Sequence, residues 1–384
     1  MAADVRVLLK EMVDRGGSDL YVTVDSPAVI RVEGVNQIVD GEALTPTEVE
    51  ALANSLMTER QRAAFEEALE MNLGISSSKL GRFRVNIFRQ RGAVGVVVRT
   101  IKTTIPTIAE LGLPDILKDI VNTKRGLVLV TGATGSGKST TLAAMIDHRN
   151  VTTAGHIITV EDPIEFMHPH KQCLITQREI GFDTHTYEAA LKNTLRQAPD
   201  VILIGEVRDR ETMEAAITFA DTGHLCLATL HSNNANQAIE RIMNFFAVER
   251  HAEIFLQLSL NLRAIVSQRL VPGIDGKRVA ALEILIDTPY VRDLIKKGEV
   301  DTIKEAMERS TQEGGQTFDQ ALFQLYSDGH IDEEQALANA DSANNLRIQM
   351  KNLNLRQADR KTIDETGGLR IQGIAQDQMF RSRH

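Results

Sequence analysis

Residues 127–146 read LVLVTGATGSGKSTTLAAMI, which is an apolar run, a glycine-rich loop and a stretch that suits a helix. Within it, residues 132–140 contain the pattern GxxxxGK[ST], with Ser139 at its last position and Thr140 after it. Glycines in such a loop let backbone N–H groups point inward and cradle phosphate oxygens. A chance glycine-rich turn would not need a strand before it and a helix after it. The stretch therefore predicts a parallel α/β fold that binds a nucleotide at this loop.

Each residue type in the loop suits a nucleoside triphosphate. The Lys138 ammonium is expected to neutralise the β- and γ-phosphates, and the Ser139 hydroxyl to ligate Mg²⁺. The helix that follows adds the positive end of its dipole. We therefore predict ATP and Mg²⁺ as ligands. The predicted nucleotide-binding residues are Gly132, Ala133, Thr134, Gly135, Ser136, Gly137, Lys138, Ser139 and Thr140.

A second apolar run, Val201–Ile204, is followed by Gly205 and Glu206. Consecutive apolar residues suit a central parallel strand, and an acidic residue at its carboxyl end can reach Mg²⁺ or its water. Gly205 occupies the position at which an aspartate is usual. We therefore predict that Glu206 acts on Mg²⁺ through water. The alternative is a surface glutamate that follows a strand.

Another strand-like run, His156–Val160, ends in Glu161 and Asp162. A carboxylate at the end of such a strand could act as a general base on the attacking water, which is typically worth about 10²–10⁴-fold in rate. Spacing alone leaves a catalytic and a structural role for Glu161 equally open. Asp162 suits a turn before Pro163.

His224 and His231 bracket the apolar run Leu225–Leu230. Seven residues apart on a strand, their side chains should point to opposite faces, so a shared metal is not expected. His231, at the carboxyl end, is better placed to sense a γ-phosphate. A purely structural histidine is the competing interpretation.

Arginines recur in the first part of the chain, away from the glycine-rich loop. One interpretation is a solvated strand face. The other is that they are supplied across an interface to the γ-phosphate of a neighbouring subunit, a contribution worth roughly 10³–10⁵ in rate in other systems. The residues concerned are Arg82, Arg84, Arg89, Arg91 and Arg99.

The chain changes character along its length. Residues 1–101 mix helical periods with Val- and Ile-rich alternation, which predicts a small α+β domain. Residues 102–114 contain two prolines and no clear period, so we predict a linker there. Residues 115–344 alternate strands with helices and end in a helical part. Residues 345–384 are polar and are predicted to be a mobile tail.

Composition narrows the function. A net charge of −9 repels nucleic acid, and no basic strip is interleaved with aromatic residues, so no nucleic-acid partner is expected. Cys173 and Cys226 are too few for a disulfide framework or a zinc module. No uncharged apolar run approaches the roughly 18–20 residues of a membrane span, and charges interrupt the N-terminus where a signal peptide needs an apolar core. We expect a cytoplasmic protein without a transmembrane segment.

Several segments together resemble one family, the PilT/PilU type IV pilus retraction ATPases of the secretion-ATPase superfamily. The resemblance runs from about residue 3 to residue 350. It rests on GGSDL (16–20), GRFRVNIF (81–88), GATGSGKST (132–140), ITVEDPIEF (158–166), LRQAPDVILIGEVRD (195–209) and TGHLCLATLHS (222–232).

This resemblance implies a fold and roles for residues. The fold is a small PAS-like α+β domain followed by a RecA-like P-loop ATPase domain with a C-terminal helical part. Glu161 becomes the general base, and Glu206 takes the Mg²⁺ and water role. His231 lies in the histidine box, and Arg84 and Arg99 match arginines that the small domain presents toward the nucleotide. His224 and Arg208 are further candidates for γ-phosphate sensing.

The resemblance also implies partners. A homo-hexameric ring is expected, with ATP sites between subunits. The segments 228–246 and 314–326 resemble the PilU-like branch more than the PilT-like one. An accessory motor is then expected, which acts with a PilT-like retraction ATPase on the inner-membrane pilus platform protein. It would lie peripherally at the cytoplasmic base of the pilus machine.

Two other functions remain open from the residues. Residues 290–299, YVRDLIKKGE, depart from the corresponding PilT motif. This departure and the polar tail favour a nucleotide-gated interaction module that binds ATP but mainly couples the main motor to the platform. A RecA-like nucleic-acid motor would share the sheet, but the net charge argues against it.

Overall fold

The computed structural model describes residues 4–39 and 41–353. Two β-sheets, made from separate stretches of the chain, organise this part of the protein. None of the helices that these residues form is long and apolar enough to cross a membrane.

The first sheet is antiparallel, and one of its faces covers a hydrophobic core. In its longest strand Phe83, Val85 and Ile87 are fully buried, as expected for a sheet with one covered face. Its strand order is β3-β2-β1-β6-β5-β4. The strands are β1 Asp19–Val22, β2 Val29–Val32, β3 Val35–Ile38, β4 Glu70–Ser77, β5 Gly81–Gln90 and β6 Ala93–Ile101.

Three helices accompany this sheet: α1 Val5–Asp14, α2 Pro46–Leu56 and α3 Glu59–Ala68. Thr45 begins α2 with a complete capping box, because its side chain accepts from the Glu48 N–H while the Glu48 carboxylate accepts from the Thr45 N–H. The α+β character predicted for this region is confirmed.

The second sheet is parallel except for a final antiparallel hairpin, in the order β13-β12-β7-β11-β10-β8-β9. Its central strands are buried along their whole length, as the apolar runs in the sequence predict. The strands are β7 Gly126–Thr131, β8 Gly155–Glu161, β9 Cys173–Glu179, β10 Val201–Ile204, β11 Leu225–Leu230, β12 Leu262–Pro272 and β13 Arg278–Ile286.

Helices cover both faces of this sheet, which confirms the predicted α/β architecture. One core contains Val128 and Val130 of β7, and the other contains Leu127 and Leu129 of the same strand. The helices are α4 Ile116–Asn122, α5 Lys138–Thr152, α6 Tyr187–Thr194, α7 Arg210–Asp221, α8 Ala235–Met243 and α9 His251–Asn261.

The C-terminal helical part follows as α10 Pro289–Lys297, α11 Ile303–Arg309, α12 Phe318–Ser327 and α13 Glu333–Asn339. Gly298, Gly314 and Gly329 have positive φ and interrupt it, as their sequence positions predict.

The expected boundary at residue 345 does not mark the end of folded structure. Residues 343–353 are helical, and Leu346 and Met350 pack with Phe318 and Leu322. The two apolar residues are one helical turn apart, which is enough to bury one stripe of a polar segment. The rest of the predicted mobile tail, residues 354–384, lies outside the described residues.

The predicted linker 102–114 packs along the second sheet. Ile108 and Leu113 are buried in a core with Leu117. At its start, Lys102 pairs with Phe166, and the Met167 N–H donates to the Lys102 carbonyl at 3.0 Å. The carboxyl end of β6 is thereby held beside the segment that follows β8. Where the domains begin and end remains a prediction.

Candidate active site

The glycine-rich loop connects the carboxyl end of β7 to α5. Gly132, Gly135 and Gly137 have φ of 148°, 77° and 91°, a region that only glycine adopts easily. Lys138 opens α5, and its Nζ donates to the carbonyls of Gly132 and Ala133 at 2.8 and 2.9 Å. Burial lowers the pKa of Lys138, while Glu206 and Glu165 act in the opposite direction. The loop is thus folded around the Lys138 ammonium, and this positive charge suits a polyanionic ligand.

A buried glutamine on β12 supports this loop. Gln268 Oε1 accepts from the Thr141 hydroxyl at 2.7 Å. A Cβ added to Gly137 would lie 2.8 Å from Gln268 Nε2, and one added to Gly132 would lie 2.5 Å from the Gln268 carbonyl oxygen. The loop therefore needs glycine for close approach as well as for conformation. No local pattern in the sequence points to Gln268, because its position comes from the pairing of β12 with β7.

The outer side of the loop borders a cavity of about 290 Å³. Besides residues 132–136, its walls include Asn233, Arg269 and Arg278. Arg269 is held by Asp341 at 2.9 Å and lies over the Phe318 ring, whereas Arg278 is exposed. An anionic ligand suits such walls.

Glu161 is the last residue of β8 and shares a small cavity with Ser139 and Gly205. Its Oε1 accepts from Thr159 Oγ1 at 2.6 Å and from Gln177 Nε2 at 3.3 Å. Burial raises the pKa of Glu161 to about 7 despite these donors. A carboxyl group with that pKa is well matched to accept a proton near neutral pH.

Glu206 follows β10 and has a partner on each carboxylate oxygen. Arg208 Nε donates to Oε2 at 2.7 Å, and His231 Nε2 lies 3.1 Å from Oε1. Arg208 also reaches Asp162 Oδ2 at 3.3 Å. The carboxyl ends of β8, β10 and β11 therefore converge on one polar cluster, as expected for a parallel sheet.

His224 is not part of this cluster. It precedes β11, at the opposite end from His231, about 20 Å away along the strand. Its Nδ1 lies 3.1 Å from the Thr222 hydroxyl. Sensing of a phosphate at the loop of the same chain does not fit this placement, because the strand itself separates the two.

Two of the predicted arginines are direct neighbours in the small sheet. Arg84 of β5 pairs with Arg99 of β6, so both lie on one face. Arg99 Nε donates to Asp19 Oδ1 at 2.7 Å, and Ser18 Oγ donates to the other oxygen of Asp19 at 2.8 Å. Among the described residues, the Arg84 guanidinium has no hydrogen-bond or ion-pair partner. The serine and aspartate of the GGSDL segment thus fix Arg99, whereas no partner holds the Arg84 side chain.

The charges on this arginine face act on carboxylates of the same chain. The hydrogen bond to Asp19 raises the pKa of Arg99, and Glu165 adds to that effect. Glu165 lines the cavity with Ser139 and also influences Lys138. Burial raises the pKa of Glu179, and Arg84 opposes that rise. Arg84 and Arg99 therefore act electrostatically on carboxylates of their own chain, and one of these, Glu165, lines the cavity with Ser139.

Within residues 4–39 and 41–353, only Ser136 Oγ, His168 Nδ1 and Tyr187 Oη are buried side-chain polar atoms without a hydrogen-bond partner. All three border this region. Ser136 is in the loop, His168 lines the cavity with Ser139 and Glu161, and Tyr187 lies beside Gly205. Burying a polar group without a partner is unfavourable, and a bound ligand is one arrangement that would supply the missing partners.

Comparison with known proteins agrees with this geometry. Residues 3–371 match the family described as type II/IV secretion system protein. The chain belongs to this family. It is 57% identical over 345 residues to the type IV pilus ATPase PilU of Pseudomonas aeruginosa, covering 90% of each chain. It is 43% identical over 343 residues to the PilT retraction ATPase of the same organism, covering 89% of this chain and 100% of PilT.

A solved structure of a related protein supports the same family assignment. The crystal structure of the pilus retraction motor PilT with bound ADP superposes with a TM-score of 0.83 at 40% identity, covering 88% of this chain and 97% of that one. The resemblance to the PilT/PilU retraction ATPases inferred from the sequence is confirmed. The predicted fold, a small α+β domain followed by a RecA-like domain of the secretion-ATPase family, is confirmed as well.

Proposed function

We propose that the protein hydrolyses ATP with Mg²⁺ at this site and uses the energy to promote retraction of a type IV pilus. One observation carries the proposal: within residues 4–39 and 41–353, the three buried side-chain polar atoms without a hydrogen-bond partner lie in the glycine-rich loop or beside Glu161 and Gly205. The PilU and PilT relatives supply the biological setting.

The residues of the chain suit each part of the reaction. The backbone of residues 132–137 and the Lys138 ammonium would bind the phosphates. Ser139 would hold Mg²⁺, with Glu206 acting through water. Among the described residues, no cluster of His, Cys, Asp or Glu could hold a metal alone, so phosphate oxygens would complete its coordination. When bound, Mg²⁺ would neutralise charge on the phosphates.

Glu161 is the proposed acceptor of the proton from the attacking water. Thr159 and Gln177 fix its Oε1, which leaves Oε2 to take a proton from the attacking water. His231 and Arg208 hold Glu206 in place beside it. We assign proton transfer to Glu161 and not to Glu206 because burial raises the pKa of Glu161 to about 7.

We propose that Arg84 and Arg99 stabilise the γ-phosphate bound to their own chain. This differs from the expectation that a neighbouring subunit supplies them. Support comes from Glu165, which acts electrostatically on both Arg99 and Lys138. Movement of the small domain toward the loop would bring Arg84 to the phosphate, and release of phosphate would reverse it.

We further propose a homo-hexamer that acts with a PilT-like ATPase on the inner-membrane platform protein, from the cytoplasmic side of the membrane. Large apolar side chains are exposed near and along α9, at Val248, Leu256 and Leu260. Burial against a second copy would remove this apolar surface from water.

Substitution at the loop tests the proposed function. Lys138→Ala and Glu206→Ala should each abolish steady-state ATP hydrolysis while far-UV circular dichroism stays unchanged. Lys124→Ala, at an exposed lysine outside the site, is the matched control and should keep full activity. Turnover at the wild-type level in either site variant would refute the proposal.

The same Lys138→Ala chain separates the motor from the interaction module. In cells that retain an active PilT-like motor but lack this protein, the motor proposal expects no recovery of twitching with the variant. Full recovery would instead favour a module that couples its partners without hydrolysis.

A further inference from the structure

Tyr187, the first residue of α6, has a buried hydroxyl group at the edge of the site. Its ring packs against the apolar core under the sheet, while its hydroxyl is buried. No described residue forms a hydrogen bond with that hydroxyl. Phenylalanine would fill the same space without leaving a donor unpaired, so packing alone does not account for tyrosine here.

The hydroxyl lies over Gly205. A Cβ added to that glycine would be 3.1 Å from Tyr187 Oη and 3.0 Å from the Cα of Glu161. The absence of a side chain at residue 205 therefore gives the phenol access to the ends of β8 and β10. The Cβ of an aspartate, the residue usual at this position in related nucleotide sites, would fit only if both neighbours shifted by a few tenths of an ångström.

Four charged groups influence this hydroxyl: Asp162, Arg208, Glu206 and Glu161. Burial, followed by the nearby carboxylates, raises the pKa of Tyr187 well above its ordinary value, so the phenol stays a donor at physiological pH. Both oxygens of the Glu206 carboxylate already have a partner. Arg208 binds Asp162 and Oε2 of Glu206, and His231 lies against Oε1 of Glu206.

We propose that Tyr187 is a positioning residue that takes the place of Arg208. When Arg208 turns toward the γ-phosphate, Oε2 of Glu206 loses its donor, and the Tyr187 hydroxyl donates to it instead. Glu206 then keeps its orientation, because His231 and Tyr187 donate to it while Arg208 binds the γ-phosphate. This inference rests on the proposed ATPase function.

Kinetics of Tyr187→Phe test the role. We expect kcat for ATP to fall about tenfold, the effect of one ordinary hydrogen bond, with KM unchanged and Tm equal to or above that of the wild type. Tyr290→Phe, at an exposed tyrosine, is the control and should match the wild type. An unchanged kcat in Tyr187→Phe, with or without a change in Tm, would overturn the proposal.

A thermal double-mutant cycle gives a readout that needs no hydrolysis. In the Arg208→Ala background Oε2 of Glu206 is free in the resting protein, so Tyr187 can bind it. There, Tyr187→Phe should lower Tm, whereas in the wild-type background it should not. If Tyr187→Phe changed Tm equally in both backgrounds, Tyr187 would not take the place of Arg208 as a donor to Glu206, and the proposal would be refuted. If the wild type itself does not hydrolyse ATP, the proposed function fails, and the cycle still decides the role of Tyr187.

Discussion

Nε2 of His231 lies 3.1 Å from Oε1 of Glu206, at the carboxyl ends of the neighbouring parallel strands β11 and β10. Burial lowers the pKa of His231, and the positive charge of Lys138 lowers it further. Both effects favour the neutral imidazole, whose Nε2–H can donate one hydrogen bond to the carboxylate. We propose that His231 orients Glu206 in this way and does not act through charge.

Removal of this imidazole should slow hydrolysis. We expect His231→Ala to lower kcat about 10–100-fold, since Glu206 loses one of its two donors, and His231→Gln to recover part of the loss. His224→Ala is the matched control, because His224 lies at the other end of the same strand. If His224→Ala lowered kcat as much as His231→Ala, the effect would not depend on the position of His231 at the carboxyl end of β11, and the proposed role of His231 would be wrong.

Glu161→Gln should separate binding from chemistry. The amide can still accept from Thr159 and Gln177, but it cannot take a proton, so kcat should fall about 10²–10⁴-fold. Binding of ATP, followed by fluorescence of a labelled analogue, should remain near the wild-type level. Turnover within a few-fold of the wild type would exclude Glu161 as the general base.

The same variant should change stability with pH. Folding raises the pKa of Glu161 from 4.5 to about 7, because the ionised form is buried. The ionised carboxylate therefore destabilises the folded state fully above about pH 7 and not at all well below 4.5. The Tm advantage of Glu161→Gln over the wild type, measured without nucleotide, should grow from pH 5 to pH 8. Glu50→Gln, at an exposed position, should show no such trend.

Assembly can be measured directly. Native mass spectrometry should give a species about six times the 42.4 kDa of one chain. Leu260→Glu places a charge on the exposed apolar surface of α9 and should reduce that species without unfolding the monomer. A stable monomer in the wild type at micromolar concentration would contradict the proposed ring.

Local patterns in the sequence predict where several residues of the candidate site lie. The carboxylates that end β8 and β10 follow strongly apolar runs, so their meeting at one sheet edge follows from parallel pairing. Capping boxes such as Thr45 with Glu48 fix helix starts within four residues. These features depend on near neighbours in sequence, and a single sequence contains that information.

Other features depend on contacts between distant parts of the chain. Gln268 reaches the loop only because β12 pairs with β7, more than a hundred residues earlier. The helix at 343–353 is stabilised by Leu346 and Met350 against α12. The direction of the arginine face depends on how the small sheet packs against the segment after β8. Periodicity and spacing give no information on such contacts.

The most direct test of an ATP site built within one chain is a comparison of two subunit mixtures. In the first, chains carrying both Lys138→Ala and Arg84→Ala are mixed with wild-type chains. In the second, chains with only Lys138→Ala are mixed with chains with only Arg84→Ala. We predict that the first mixture hydrolyses ATP and that the second stays as inactive as its separate components. Recovery of hydrolysis in the second mixture would show that arginines act between subunits and would contradict the account.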